Sequence, residues 1–369
     1  NHSMKLETLA IHGGNIVTDS EKPVVQPITL STTFVHQPES MIYARANNPN
    51  RHALEKLLAG LEKGADAAAF SSGNAAGVSV FQALESGSHV IAPDDMYHGL
   101  KNAILSLFKG VIDATFVDMT DLEAIEQAFK PNTKLVWIET PSNPLLKITD
   151  IFAVANLVKE KGAMVACDNT FATPVFQNPI ELGADIVMHS STKYFGGHSD
   201  ILGGALITKE KNEFWEKVKN VQISGGAVPS PMDCYYLCRS IKTLPYRMKG
   251  HAEHAIVLAN FLSTHDAVEK VYYPGLKTHP GHLIAANQMT GFGGVLSFLV
   301  KGGADAADRV ISKLKYFTNA TSLGGVESLI ERRAASEGPD TLTPQNLIRV
   351  SVGLEHLYDL LEDMEIALK

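Results

Sequence analysis

From about residue 46 to residue 240 the chain alternates short apolar runs with stretches of helical period. That rhythm restricts it to βαβ units on a mostly parallel sheet buried on both faces. The apolar runs predict strands over 67–70, 89–92, 135–138, 164–167, 186–188 and 205–207. Amphipathic helices are expected between them, for example over 122–129 and over 151–161, where Gly162 supplies a C-terminal stop. The first 45 residues lack this rhythm and carry Pro23, Pro27 and Pro38, so they read as an extended arm that packs on its own domain or on a neighbouring subunit. A helix beginning near Pro231 and continuing past Arg239 would lead out of the first unit. Beyond it the pattern predicts strands over 295–300 and 347–352 and a helix over 304–314, the makings of a smaller α+β domain. The expected division is an arm over 1–45, a large α/β domain over 46–235 and a C-terminal domain over 236–369.

Length supports two domains, because 369 residues exceed what one hydrophobic core organises. With 45% hydrophobic and 20% charged residues, the chain is neither disordered nor fibrous. Lys plus Arg number 32 against 40 Asp plus Glu, a formal charge of -8. Such a surface repels a phosphate backbone, and no nucleic-acid partner is expected. The three cysteines, Cys167, Cys234 and Cys238, cannot all pair and match no zinc spacing, which points to a reducing cytosol and no metal. No apolar run approaches the ~20 residues that span a bilayer. Asn1-His2-Ser3 before Met4 reads as an expression scar rather than a signal peptide, so the expected location is the cytoplasm.

Three of the expected strands run into residues that do not belong in a core. Residues 135–138 lead to Glu139-Thr140-Pro141-Ser142-Asn143-Pro144, residues 164–167 to Asp168-Asn169-Thr170, and residues 186–188 to His189-Ser190-Ser191-Thr192-Lys193. In an open α/β sheet the ligand crevice lies outside the carboxyl ends of the strands, where these groups should converge. Tyr97 joins them from the loop after 89–92. An Asp at a strand end, a Lys flanked by hydroxyls and a nearby aromatic ring are the parts of a pyridoxal phosphate site. The amine forms a Schiff base with the aldehyde, and the carboxylate keeps the pyridine nitrogen protonated. Ser71-Ser72-Gly73-Asn74, between a strand and a small-residue helix, offers backbone N–H groups and a positive dipole end for the phosphate. No G-x-x-x-x-G-K-[ST] or G-x-G-x-x-G follows a strand, which counts against nucleotide cofactors. Singly, each residue has a plainer reading: a solvated lysine, an Asp that caps a helix, a packed tyrosine, a capped helix start. Their occurrence together at one end of one sheet favours a cofactor site, without excluding a non-catalytic binding protein.

The stretch Ser190-Ser191-Thr192-Lys193-Tyr194-Phe195-Gly196-Gly197-His198-Ser199-Asp200 resembles the cofactor-attachment segment of the Cys/Met metabolism PLP-dependent enzymes, the trans-sulfuration family related to cystathionine γ-synthase. Further matches run along nearly the whole chain. They include Ile11-His12-Gly13-Gly14, Tyr43-Ala44-Arg45, Asn48-Pro49, Asp168-Asn169-Thr170-Phe171, Gly291-Phe292-Gly293-Gly294, Ser322-Leu323-Gly324-Gly325 and Arg349-Val350-Ser351-Val352-Gly353-Leu354-Glu355. The resemblance implies the PLP-dependent transferase fold, aspartate aminotransferase-like and of fold type I, and an enzyme that eliminates or replaces a β or γ substituent of a sulfur amino acid. A cystathionine γ-synthase or γ-lyase type reaction is the first expectation, ahead of a β-lyase and a methionine γ-lyase.

Residue by residue, the resemblance implies that Lys193 holds pyridoxal phosphate and shuttles protons, with Tyr97 stacking on the ring and assisting at the departing sulfur. Asp168 would pair with the pyridine nitrogen, and Ser72, Gly73, Ser190 and Thr192 would hold the phosphate. Tyr43 and Arg45 would reach the phosphate of a neighbouring subunit, making the enzyme a homo-oligomer, an active dimer or a dimer of dimers. Arg349 would take the substrate α-carboxylate, with Ser322 and Asn143 completing that pocket. The sequence departs from the family pattern at Thr321, where γ-carbon enzymes commonly carry a glutamate for a distal ammonium. It also departs at His98, Asn74 and Asn50, and over Glu331-Arg332-Arg333-Ala334-Ala335-Ser336-Glu337-Gly338, which replaces a Met-Thr-His stretch. These positions are expected around the far end of the substrate, leaving the cofactor chemistry intact.

Overall fold

The computed structural model describes residues 4–18 and 20–369, and the reading of Asn1-His2-Ser3 lies outside the described residues. Seven strands form the larger sheet: β1 (Asp66–Phe70), β2 (His89–Pro93), β3 (Asp113–Val117), β4 (Thr133–Glu139), β5 (Met164–Asp168), β6 (Ile186–Ser190) and β7 (Gly204–Thr208). Their order is β1-β7-β6-β5-β4-β2-β3. Strand β7 is antiparallel to both neighbours, and the remaining pairs are parallel. Parallel neighbours need crossovers, which the helices Gly73–Ala83, His98–Ser106, Leu122–Ala128 and Ile151–Glu160 help to supply. Ser72, Asp121 and Asp150 cap three of these by accepting backbone N–H groups of the first turn.

The period of two along β4 divides its side chains between two helical layers. Leu135 and Trp137 pack with Val80 and Phe81 on one face, and Val136 and Ile138 pack with Ile151, Val154 and Val158 on the other. Because β4, β5 and β6 are adjacent and parallel, they end side by side at Glu139, Asp168 and Ser190, with Glu139 in register with Asp168.

The second sheet holds β8 (Val268–Tyr272), β9 (Val295–Val300), β10 (Thr318–Asn319), β11 (Leu329–Arg332) and β12 (Leu347–Ser351), in the order β10-β11-β12-β9-β8. All its pairs are antiparallel except β10 with β11. Ile348 and Val350 enter a core with Leu258, Leu262, Leu296, Phe298, Leu360 and Met364. Alternation therefore turns Arg349 to the opposite face of β12, toward the strand ends of the first sheet. At that seam Ser297 Oγ donates to the Pro144 carbonyl at 2.7 Å. No helix among the described residues is long and apolar enough to cross a membrane.

Two expectations require correction. The N-terminal segment is not extended throughout: Leu6–His12 is a helix, whose Leu6, Leu9 and Ala10 join the cluster of Leu57 and Leu58. The helical spacing of those three apolar residues outweighs the proline-rich stretch that follows. Strands β3, β8, β10 and β11 also escape the sequence pattern, because their apolar and polar residues are mixed. Replacing Trp137, which is wholly buried against Phe81, by Ala is expected to cost about 3–5 kcal/mol of stability. The measurement is the urea midpoint of unfolding, and an unchanged midpoint would contradict this packing.

Candidate active site

A cavity of about 600 Å³ opens where the ends of β4, β5 and β6 meet the second sheet. Ser72, Gly73, Tyr97, Asn143, Asp168, Ser190, Thr192 and Lys193 line it from the first sheet, and Thr321, Ser322, Arg333 and Arg349 from the second. Lys193 sits in the turn leaving β6, held by Lys193 N–H to the Ser190 carbonyl at 3.2 Å and by Gly197 N–H to its own carbonyl at 2.8 Å. Its Nζ donates to Ser322 Oγ at 2.8 Å, across the seam. Burial, reinforced by the charges of Arg349 and Arg333, lowers its pKa to about 8. At neutral pH about a tenth of such an amine is already uncharged.

Asp168 closes β5. Its Oδ1 accepts Thr170 N–H at 3.0 Å and Thr170 Oγ1 at 2.6 Å, while Oδ2 accepts no hydrogen bond among the described residues. Burial raises its pKa, with the Thr170 bonds and the charges of His189 and Lys193 opposing. Glu139, beside it in register, is pushed well up by burial and then by the Asp168 charge. Glu139 Oε2 accepts the backbone N–H of Tyr97 at 3.0 Å and so fixes the residue that begins the His98–Ser106 helix. The Tyr97 ring remains half exposed at the cavity.

The opposite end of the cavity is the start of the Gly73–Ala83 helix. Ser72 Oγ accepts Ala75 N–H at 3.0 Å, and a Cβ on Gly73 would lie 3.1 Å from that of Ser190. Glycine is what lets this turn press onto the end of β6. Thr192 Oγ1 is tied to Gly203 by two hydrogen bonds, at 3.0 and 3.3 Å. A helix N-terminus ringed by Ser72, Ser190 and Thr192 suits a phosphate, an amine of lowered pKa suits an aldehyde, and the free Oδ2 of Asp168 suits a protonated ring nitrogen. By donor chemistry these residues fit pyridoxal phosphate.

Arg349 is 3% exposed. Its Nη1 donates to Asn143 Oδ1 at 3.1 Å, and its Nη2 to the Ser322 carbonyl and to Glu331 Oε2, each at 3.0 Å. Glu331 faces it in register across β11 and β12. Burial, with Arg333 adding to it, brings the guanidinium down to about 10. Thr321 Oγ1 donates to Glu331 Oε1 at 3.3 Å.

Sequence reasoning missed Glu331 as the partner of Arg349; it reached Arg333 and Ser336 only within the divergent stretch expected around the far end of the substrate. The available signal was the need of an arginine flanked by Ile348 and Val350 for a carboxylate on a neighbouring strand. Tyr43 and Arg45 are not brought to this cavity; Arg45 Nη1 donates to the Ile223 carbonyl at 2.8 Å. Among the departures, Asn74, His98, Arg333 and Ser336 do line it. Asn50 does not: it is buried against the N-terminal segment, accepting Thr29 N–H at 2.8 Å and donating to the Pro27 carbonyl at 2.9 Å. Its place is in anchoring that segment rather than around a substrate.

Comparison with known proteins accords with this geometry. The family model for Cys/Met metabolism PLP-dependent enzymes matches residues 7–369. A cystathionine gamma-synthase of Mycobacterium tuberculosis is 46% identical over 98% of this chain and 96% of its own length. A cystathionine gamma-lyase of Bacillus subtilis is 45% identical over 99% of this chain and 100% of its own. A cystathionine beta-lyase of Lactococcus lactis subsp. cremoris is 46% identical over 99% of each. The crystal structure of metB from Corynebacterium glutamicum matches with a TM-score of 0.96 at 41% identity, covering 99% of this chain and 98% of that one. The fold is thus the PLP-dependent transferase fold that the sequence implied, with its mostly parallel sheet and its second, smaller one. The chain belongs to the Cys/Met metabolism PLP-dependent enzyme family, the PLP-dependent enzymes of trans-sulfuration.

Proposed function

We propose that this enzyme eliminates or replaces the γ substituent of a sulfur amino acid, a reaction of the cystathionine γ-synthase or γ-lyase type, with Lys193 as the proton carrier. Similarity to a cystathionine gamma-synthase and a cystathionine gamma-lyase favours the γ carbon, and the observation that carries the role of Lys193 is Ser322, which accepts from Lys193 Nζ through its hydroxyl and from Arg349 through its carbonyl. A carboxylate on the guanidinium therefore sets the neighbouring carbon close to the amine. β-elimination on the same residues is the second reading, favoured by the similarity to a cystathionine beta-lyase.

Pyridoxal phosphate, when bound, withdraws electrons from the substrate α-carbon so that its proton becomes acidic. The chain supplies the remainder. Asp168 Oδ2 would take the ring nitrogen, and Ser72, Gly73, Ser190 and Thr192 the phosphate. Tyr97, fixed through its backbone by Glu139, would cover the ring. Arg349, braced by Glu331 and Asn143, would orient the α-carboxylate. Lys193, whose neutral form is favoured by burial and by two arginines, would take the α-proton and return it farther along the substrate.

We further assign Tyr43 and Arg45 to the site of a neighbouring subunit, a reading supported by the exposed apolar residues of the same N-terminal segment, Val24, Leu30, Val35 and Ile42. The enzyme is then a homo-oligomer of the cytoplasm, its arm spanning 1–45, its cofactor domain 46–235 and its substrate domain 236–369. Clusters confined to each sheet support that division, and two further clusters, one with Val187 and Val295 and one with Ile148 and Met289, join the domains.

With cystathionine as substrate, 2-oxobutyrate is the expected keto acid; pyruvate alone would establish β-elimination instead. The Lys193→Ala protein is expected to lose about 10²–10⁴-fold or more in kcat and the visible Schiff-base band. A yellow, fully active variant would overturn the assignment. Because a lysine pKa lowered to about 8 leaves the amine neutral above that pH and protonated below it, reloading of the cofactor-free protein with pyridoxal phosphate is expected to accelerate with rising pH and level off above about 8. Visible absorbance follows it, and a rate that climbs unbroken to pH 10 would show an ordinary lysine.

A further inference from the structure

Glu62 caps the C-terminal end of the Pro49–Leu61 helix and is wholly buried. Neither circumstance suits an acid, because the helix dipole is negative at that end and water is excluded. Nothing in the reaction proposed above uses it. Its Oε1 nevertheless lies 3.0 Å from His189 Nε2 and accepts from Asn169 Nδ2 at 2.9 Å, while its Oε2 has no partner among the described residues. Protonation of Oε1 would break one of these bonds, and protonation of Oε2 would bury an O–H with no acceptor, so the donors serve a carboxylate. A carboxylate withdrawn from water needs a counter-charge. Among the described residues His189 is the basic group within ion-pair distance of it. The imidazole is itself buried, with the Phe195 ring at 4.4 Å between centroids.

The pair lies behind the two strand ends that face the cavity. Asn169 follows Asp168 and His189 precedes Ser190, so a single carboxylate oxygen joins the exits of β5 and β6. Gln177 holds Asn169 from the other side, its Nε2 donating to Asn169 Oδ1 at 3.0 Å and its carbonyl accepting from Asn169 Nδ2 at 2.9 Å. From His189 the connection continues through Ser190, whose N–H donates to Thr170 Oγ1 at 3.0 Å, and that hydroxyl donates to Asp168 Oδ1 at 2.6 Å. Burial drives the Asp168 carboxyl toward its neutral form, and a charge on His189 opposes it. The other groups here give Asp168 little lasting support. Glu139 and Asp168 repel each other's charge, Cys167 is kept a neutral thiol by burial and the neighbouring acids, and Lys193 is lowered to about 8.

We infer that Glu62 and His189 are positioning residues, a buried carboxylate–imidazolium pair behind the strand ends that keeps Asp168 ionised and aimed at the ring nitrogen of the cofactor. The inference deepens the function proposed above and rests on its assignment of Asp168 to that nitrogen. Only an ionised Asp168 gives a protonated ring nitrogen a charge-assisted bond, which is worth about 10- to 100-fold in affinity.

The test measures, by calorimetry on the full chain freed of cofactor, the binding of pyridoxal phosphate and of its 1-deaza analogue, in which carbon replaces the ring nitrogen. Wild type is compared with Glu62→Gln, with His189→Gln and with the variant carrying both. Wild type is expected to hold pyridoxal phosphate about 10- to 100-fold more tightly than the analogue. Each single variant is expected to lose about 10-fold of that preference, and the double variant no more than either, because the two residues act as one unit. A single substitution leaves one buried charge without its partner and can prevent folding. The double substitution removes both charges and keeps amides of similar shape in their place, so it decides where the single ones fail. A preference that persists in the variants, both compounds weakening alike, would make the network a scaffold and overturn the inference alone. Equal binding of the two compounds by wild type would refute the Asp168 assignment, and the inference with it.

Discussion

Charge withdrawn from water at the seam between two sheets is the constraint on which this molecule turns. Lys193, Asp168 and Glu139 come from one side of the seam, Arg349, Arg333 and Glu331 from the other. Buried ions of this number survive only when each finds a partner or changes its protonation. The arginines are partnered by Glu331 and Glu337, and the two strand-end acids are pushed toward their neutral forms. The lysine, facing two guanidiniums, is the group best placed to shed its proton near neutrality. The lowered pKa of Lys193, set first by burial and then by the two arginines, is therefore a property of the whole cluster rather than of its immediate turn.

The large sheet was legible because its central strands are buried on both faces and so read as unbroken apolar runs, as in Leu135-Val136-Trp137-Ile138. The edge strand β3, Asp113–Val117, needs no such run, and the smaller sheet is mostly antiparallel with charged residues inside three of its strands. Periodicity cannot find a strand such as Leu-Ile-Glu-Arg, whose Glu331 is justified only by Arg349 across the ladder. The short helix near the N-terminus was hidden for another reason. Its apolar positions make sense only against Leu57 and Leu58, which the local sequence does not display.

The same logic separates the site residues that sequence reasoning reached from those it missed. Lys193, Asp168, Ser72, Gly73, Ser190 and Thr192 are read directly because each closes or leaves a recognisable strand, and the parallel order carries them to one edge. Asn143, Ser322 and Arg349 lie far apart in sequence and were named through resemblance; the hydrogen bonds among them supply the physical reason. Arg333 was reached only as part of a stretch that departs from the family pattern. It follows a strand the pattern did not reveal, and its pairing with Glu331 and Glu337 at the cavity wall appears only in the fold.

That position bears on the lysine as well. Burial lowers the Lys193 amine most, Arg349 and Arg333 add to it, and Glu331 and Asp168 oppose. The bridging carboxylate of Glu331 therefore acts on both sides of this balance. It keeps two guanidiniums close enough to act on one lysine, and it prevents their mutual repulsion from opening the wall that positions them.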